Sequence, residues 1–166
     1  MSQIILPGTG ILSFLDDEAR EKLSSYGNLV VTIGGQVLIR EGDVQSQLYI
    51  VLSGQFNITT QVQGKDVHLD VVGQGDCLGE VAIFTPDRAS ATVTSLEVGQ
   101  LWAIDAVALQ EFLLDWPSYG CAAILGINII LSRRLKRANA MIRAHEIVPA
   151  FLSVRAQKRA PTGKLP

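Results

Sequence analysis

Cysteine is scarce in this chain. Its two cysteines, Cys77 and Cys121, sit far apart in apolar contexts, which excludes a disulfide framework and makes the reducing cytoplasm the expected compartment. Long hydrophobic runs are also missing. The most apolar stretch, Tyr119–Leu131, is about 13 residues and holds Gly126 and Asn128, whereas a membrane-spanning helix needs about 20. No membrane span is expected. The N-terminus, MSQIILPGTGILSFL, has no basic region and does not read as a secretory signal. Histidine is rare too. His68 lies in the alternating stretch DVHLDVV and reads as outward-facing, and His145 follows the last long apolar pattern. Neither has a cysteine or carboxylate spaced to share a metal, so no metal site is expected. No Ser–His–Asp or Cys–His constellation has supporting context, so a non-enzymatic role is expected.

What is present fits one globular domain. Hydrophobic residues make up 48% and charged residues 18% of 166 positions, enough for a single core and too apolar for a disordered chain. Charge is unevenly placed. Residues 1–130 carry five basic against fifteen acidic side chains, and residues 131–166 carry nine basic against one acidic. A basic C-terminal region of this kind is either an interaction arm or a solvated helix face and tail.

The hydrophobic periods divide the chain further. Ser13–Tyr26 reads as a helix, with Asp16, Asp17 and Glu18 at the end where the helix dipole favours acids. After Gly27 come short β-branched and aromatic runs: Asn28–Ile33, Gln36–Arg40, Leu48–Leu52, Phe56–Gln61, Val67–Val72, Ala91–Ser95 and Gly99–Ile104. Gly, Asp and Ser turns between them point to an antiparallel sandwich or barrel. Helical spacing returns at Asp105–Trp116, with Asp105 as N-cap, and after Pro117 a long helix is expected over about 118–143. Its apolar stripe is Ile124, Ile127, Leu131, Leu135, Ala138 and Ile142. That stripe either covers the barrel of its own chain or pairs with a second copy. Residues 144–166 are expected to form a loose basic tail.

One segment carries chemistry: Gly73–Val93, GQGDCLGEVAIFTPDRASATV. Gly79 allows close backbone approach, and Val81–Phe84 reads as an apolar helical turn whose amides suit an anion. Ala82 keeps space clear, Glu80 can accept from a ribose hydroxyl, and Ser90 offers a further donor. A nearby arginine, Arg88, can neutralise a phosphate. Cys77 reads as a small buried hydrophobe. Taken alone, these residues fit a β-turn with a capping glutamate better.

Together with REGD (Arg40–Asp43), YIVLSG (Tyr49–Gly54), GQGDCLGE (Gly73–Glu80) and SATV (Ser90–Val93), the segment resembles the cyclic-nucleotide-binding domain family. The resemblance runs from about Ser13 to Arg143. It implies a mainly β fold with flanking α: a jelly-roll barrel (double-stranded β-helix) of about eight strands over residues 28–104, then C-terminal helices over 105–143. It further implies that a cyclic mononucleotide, cAMP or cGMP, is held by Gly79, Glu80, Val81, Ala82, Arg88, Ala89 and Ser90, with no other cofactor. The family's phosphate arginine stands immediately before the small residue of the SATV-like pattern; Ala89 occupies that place and Arg88 is one residue early. Along a strand, one residue turns a side chain to the opposite face. Either the Thr85–Asp87 loop lets Arg88 reach the phosphate, or the pocket lacks its cation.

The resemblance also implies a regulatory sensor that dimerises through helix 118–143 and acts on a separate effector protein. The stretch after that helix reads as too short for a helix-turn-helix, so sequence-specific DNA binding is not expected. The alternative is a degenerate, ligand-free member serving as a dimerisation or protein-interaction module.

Overall fold

The alternation of β4 (Gln47–Ser53) and β10 (Gly99–Asp105) sets the centre of the molecule. They pair antiparallel, with Tyr49 opposite Ala103 and Val51 opposite Leu101, and these four side chains point into one core. On the other face Leu48, Ile50, Trp102 and Ile104 are buried as well. Burial on both faces explains why Leu48–Leu52, LYIVL, is a continuous apolar run. The computed structural model describes residues 4, 6–81, 83–84 and 87–157, with side chains described as far as Arg143.

β1 (Asn28–Thr32) and β7 (Cys77–Leu78) complete this four-stranded sheet, in the order β1-β10-β4-β7. A second four-stranded sheet, β2-β9-β5-β6, is built from β2 (Val37–Ile39), β5 (Phe56–Val62), β6 (Lys65–Val72) and β9 (Thr92–Ser95). Ile39, Phe56, Val72 and Val93 of this sheet meet Tyr49, Val51, Leu78, Leu101 and Ala103 of the first. A two-stranded pair, β3 (Val44–Gln45) with β8 (Asp87–Arg88), closes one edge of the roll. All seven runs expected to be strands are strands. Buried Cys77 takes the role expected of it, and exposed His68 pairs with Asn57.

The helices begin where their caps say. Asp16 and Asp105 accept from the amides of Ala19 and Ala108, opening α1 (Asp17–Ser24) and α2 (Ala106–Asp115). Trp102 on the outer face of β10 donates its Nε1–H to the Ser24 carbonyl at the end of α1. Tyr26 donates to Asp115, receives the indole N–H of Trp116, and packs edge-on to Phe112.

α3 (Pro117–Gln157) starts with proline at its first position, where the missing N–H costs nothing. It continues past Arg143, where the sequence reading ends it, and through Pro149. A proline removes one helical hydrogen bond and crowds the preceding turn, but helix on both sides can carry it. The loose-tail expectation therefore gives way to helix over 144–157, and its remainder, 158–166, lies outside the described residues. The chain divides into two units, Met1–Ile130 and Leu131–Pro166. In the first, Ala123, Ile127 and Ile130 of α3 are buried, and a side chain at Gly126 would run into the carbonyl of Ile11 in the 3-10 turn Gly10–Leu12. In the second, the stripe residues Leu135 (63% exposed) and Ile142 (57%) face solvent. Among the described residues no helix is long and apolar enough to cross a membrane.

Candidate functional site

The turn that leads into the site is fixed by β4. The Gly75 amide donates to the Val51 carbonyl, the Val51 amide donates to Asp76, and the Asp76 carboxylate accepts from Gly73. Cys77 and Leu78 then pair with Ile50 and Tyr49, which delivers Gly79 to the end of the sheet.

Gly79 has no substitute here. Its φ is +76°, a region L side chains rarely adopt, and a Cβ would collide with the Gln47 carbonyl. The same Cβ would stand 3.2 Å from Gln45 Nε2. Glu80 follows and is only 6% exposed, an unusual location for a carboxylate. The chain then turns: the amides of Ile83 and Phe84 donate to the Gly79 and Val81 carbonyls. The helical turn expected at Val81–Phe84 is thus a hydrogen-bonded turn without an assigned helix among the described residues. Four residues offer too few bonds to offset helix nucleation. Ala82, Thr85 and Pro86 lie outside the described residues.

The β3–β8 pair decides where the arginine goes. Val44 faces Arg88 and Gln45 faces Asp87 across it, and the ladder continues through Ala89 N–H to the Asp43 carbonyl and Gly42 N–H to the Ala89 carbonyl. Ala89 packs against the main core cluster, whereas Arg88 is exposed. Arg88 Nη1 donates to the Gly42 carbonyl at 2.6 Å, and its own amide donates to Asp87 Oδ1. Its side chain therefore lies along the outside of the pair. Ser90, two residues past β8, is exposed.

Gln45 was not singled out by the sequence. Its Oε1 accepts from the Ser46 amide at 3.2 Å, and its Nε2 is buried with no hydrogen-bond partner. Burial pushes the Tyr49 phenol up; the Gln45 amide lies close enough to offset part of this, without hydrogen-bond geometry to it, and the phenol donates instead to Gln47 Oε1. Nothing in the string VQSQ marks Gln45. Only the pairing of β4, the strand that follows it, with β7 brings it to Gly79.

The sequence profile of the cyclic nucleotide-binding domain matches residues 34–115, which hold the second sheet, the β3–β8 pair and all of Gly73–Val93. The chain carries a domain of the cyclic nucleotide-binding family. It is 27% identical over 136 residues to a CRP-like cAMP-activated global transcriptional regulator of Mycobacterium tuberculosis, covering 81% of this chain and 59% of that protein. It is 33% identical to a cAMP-dependent protein kinase regulatory subunit of Schizosaccharomyces pombe, covering 81% of this chain and 29% of that one. It thus spans less than two thirds of each of these relatives. Among solved structures, the N-terminal domain of a transcriptional regulator from Streptomyces coelicolor A3(2) superposes with a TM-score of 0.68 at 28% identity, covering 84% of this chain and 95% of that one. The family is a regulatory one, and the mainly β jelly roll with its long C-terminal helix is its fold.

Proposed function

We propose that this cyclic nucleotide-binding domain is a non-enzymatic sensor of a cyclic mononucleotide, cAMP or cGMP, and takes no further cofactor. The phosphate meets the main chain from Gly79 through Val81 to Ala82, and Glu80 accepts from the ribose 2′-hydroxyl. Ala89 and Ser90 line the facing strand end, and Arg88 stays on Gly42. The observation that carries this reading is Gly79–Glu80: a left-handed glycine with no room for a side chain, followed by a buried carboxylate, at the end of a sheet. A buried acid accepting from a neutral hydroxyl is a charge-assisted bond, stronger than a neutral one.

The exposed Leu135 and Ile142 suit a second copy of α3, so the sensor is read as a homodimer acting on a separate effector protein within the cytoplasm. Sequence-specific DNA contact is no part of this reading. Ligand-dependent output requires that nucleotide bind two arrangements of α2 and α3 unequally.

Thermal melting tests this directly. cAMP or cGMP at millimolar concentration raises Tm, and the rise is lost in Glu80→Ala. A second reading, a ligand-free dimerisation module, is favoured by the Arg88–Gly42 bond, which takes the arginine away from the site. It predicts no shift with any cyclic nucleotide and an intact dimer.

A further inference from the structure

Gln45 is built as a donor waiting for an acceptor. A glutamine amide has two donors and one acceptor oxygen, and buried polar groups almost always find partners. Here the oxygen is engaged by the Ser46 amide, which needs an acceptor and so fixes which end of the side chain is oxygen. The other end, Nε2, is buried, makes no hydrogen bond, and lies beside Gly79. An unpaired buried donor is destabilising, so its presence at this place calls for a partner that arrives from outside.

The strand that carries it adds a second observation. Gln45 and Arg88 belong to paired strands, but the register places Arg88 opposite Val44, and Val44 is an exposed residue. Gln45 sits one position on, facing the other way. Across from Gln45 stands the exposed Asp87, yet the Gln45 amide nitrogen itself is buried while the guanidinium of the pair is exposed.

Resting on the nucleotide reading above, we propose that Gln45 Nε2 donates to an exocyclic oxygen of the ligand's phosphate, taking the place next to Gly79 that Arg88 does not reach. A neutral donor holds a monoanion without an ion pair. Binding at this position accordingly depends little on ionic strength.

The test uses the whole chain, cAMP as probe, and two variants. Gln45→Glu keeps the oxygen for the Ser46 amide but loses the donor and adds negative charge; Gln45→Met keeps the length of the side chain and loses both polar ends. Calorimetry is expected to show cAMP affinity falling about ten- to hundredfold in Gln45→Met and further in Gln45→Glu. Without nucleotide, Gln45→Met is expected to melt no lower than the wild type. Affinity within twofold of wild type in both variants overturns the role of Gln45 while leaving the nucleotide site standing. No cAMP or cGMP binding by the wild type overturns the nucleotide reading and this role with it. A Gln45→Met chain that melts lower yet binds as tightly also contradicts the proposal, because the amide is then structural.

Discussion

The Arg88 guanidinium and the Gly42 carbonyl are joined by a 2.6 Å hydrogen bond across the β3–β8 pair. A one-residue displacement in sequence is enough to cause it. Arg88 falls on the outward side of a two-residue strand, and Ala89, one step later, falls on the core side. The departure from the family pattern is thereby absorbed in the structure as a change of partner.

Arg88→Ala is therefore expected to lower cAMP affinity by less than about threefold, and to change stability by about 0.5 kcal/mol or less, as for an exposed residue. Calorimetry and melting check both. A loss of tenfold or more in affinity means that the guanidinium leaves Gly42 for the phosphate.

Gly79→Ala should be costly before any ligand is added. The backbone is left-handed and the new methyl meets the Gln47 carbonyl, so a loss of about 1–3 kcal/mol is expected, together with loss of nucleotide response. Denaturant unfolding measures it, and an unchanged midpoint contradicts the packing described here.

The sequence read most of this fold because its longer elements repeat. Asp16 and Asp105 announced two helices by capping chemistry, and Leu48–Leu52 and Gly99–Ile104 announced central strands by continuous apolarity. The strands that escaped, β3, β7 and β8, have two residues each and cannot show a period. The site divides the same way. Gly79 and Glu80 were singled out through the resemblance of their segment to the family, since a glycine and an acid at a turn alone fit a capped β-turn. Gln45 was not, since its significance comes from a neighbour 34 positions later that only the pairing of β4 with β7 brings close. The end of α3 was missed in the other direction: the apolar stripe fades after Ile142, yet the helix runs on to Gln157.

Leu135→Asp should convert a dimer to a monomer in solution while leaving nucleotide affinity within about threefold. The residue is 63% exposed, so its replacement costs no buried packing. Light scattering that finds the wild type already monomeric, or the variant still dimeric, contradicts the dimer proposed through α3.

Alkaline pH should weaken the fold through its tyrosines. Tyr26 is raised above its ordinary value of 10.0, first by its bond to Asp115; Tyr49 and Tyr119 are raised first by desolvation. A raised acid holds its proton more tightly in the folded state. The stability it contributes is complete below pH 10 and is lost as pH climbs through the folded value. Tm is expected to be flat up to about pH 9.5 on this account and to fall beyond it. Tyr26→Phe should make that fall shallower.

The central claim, that the Gly79–Glu80 corner holds a cyclic mononucleotide, is tested most directly by calorimetric titration of the chain with cAMP and with cGMP, alongside Glu80→Gln. The account predicts saturable binding of one nucleotide per chain, weakened at least tenfold when the carboxylate becomes an amide. Heat changes indistinguishable from dilution for both nucleotides at millimolar concentration, in a protein whose melting shows it folded, would contradict it.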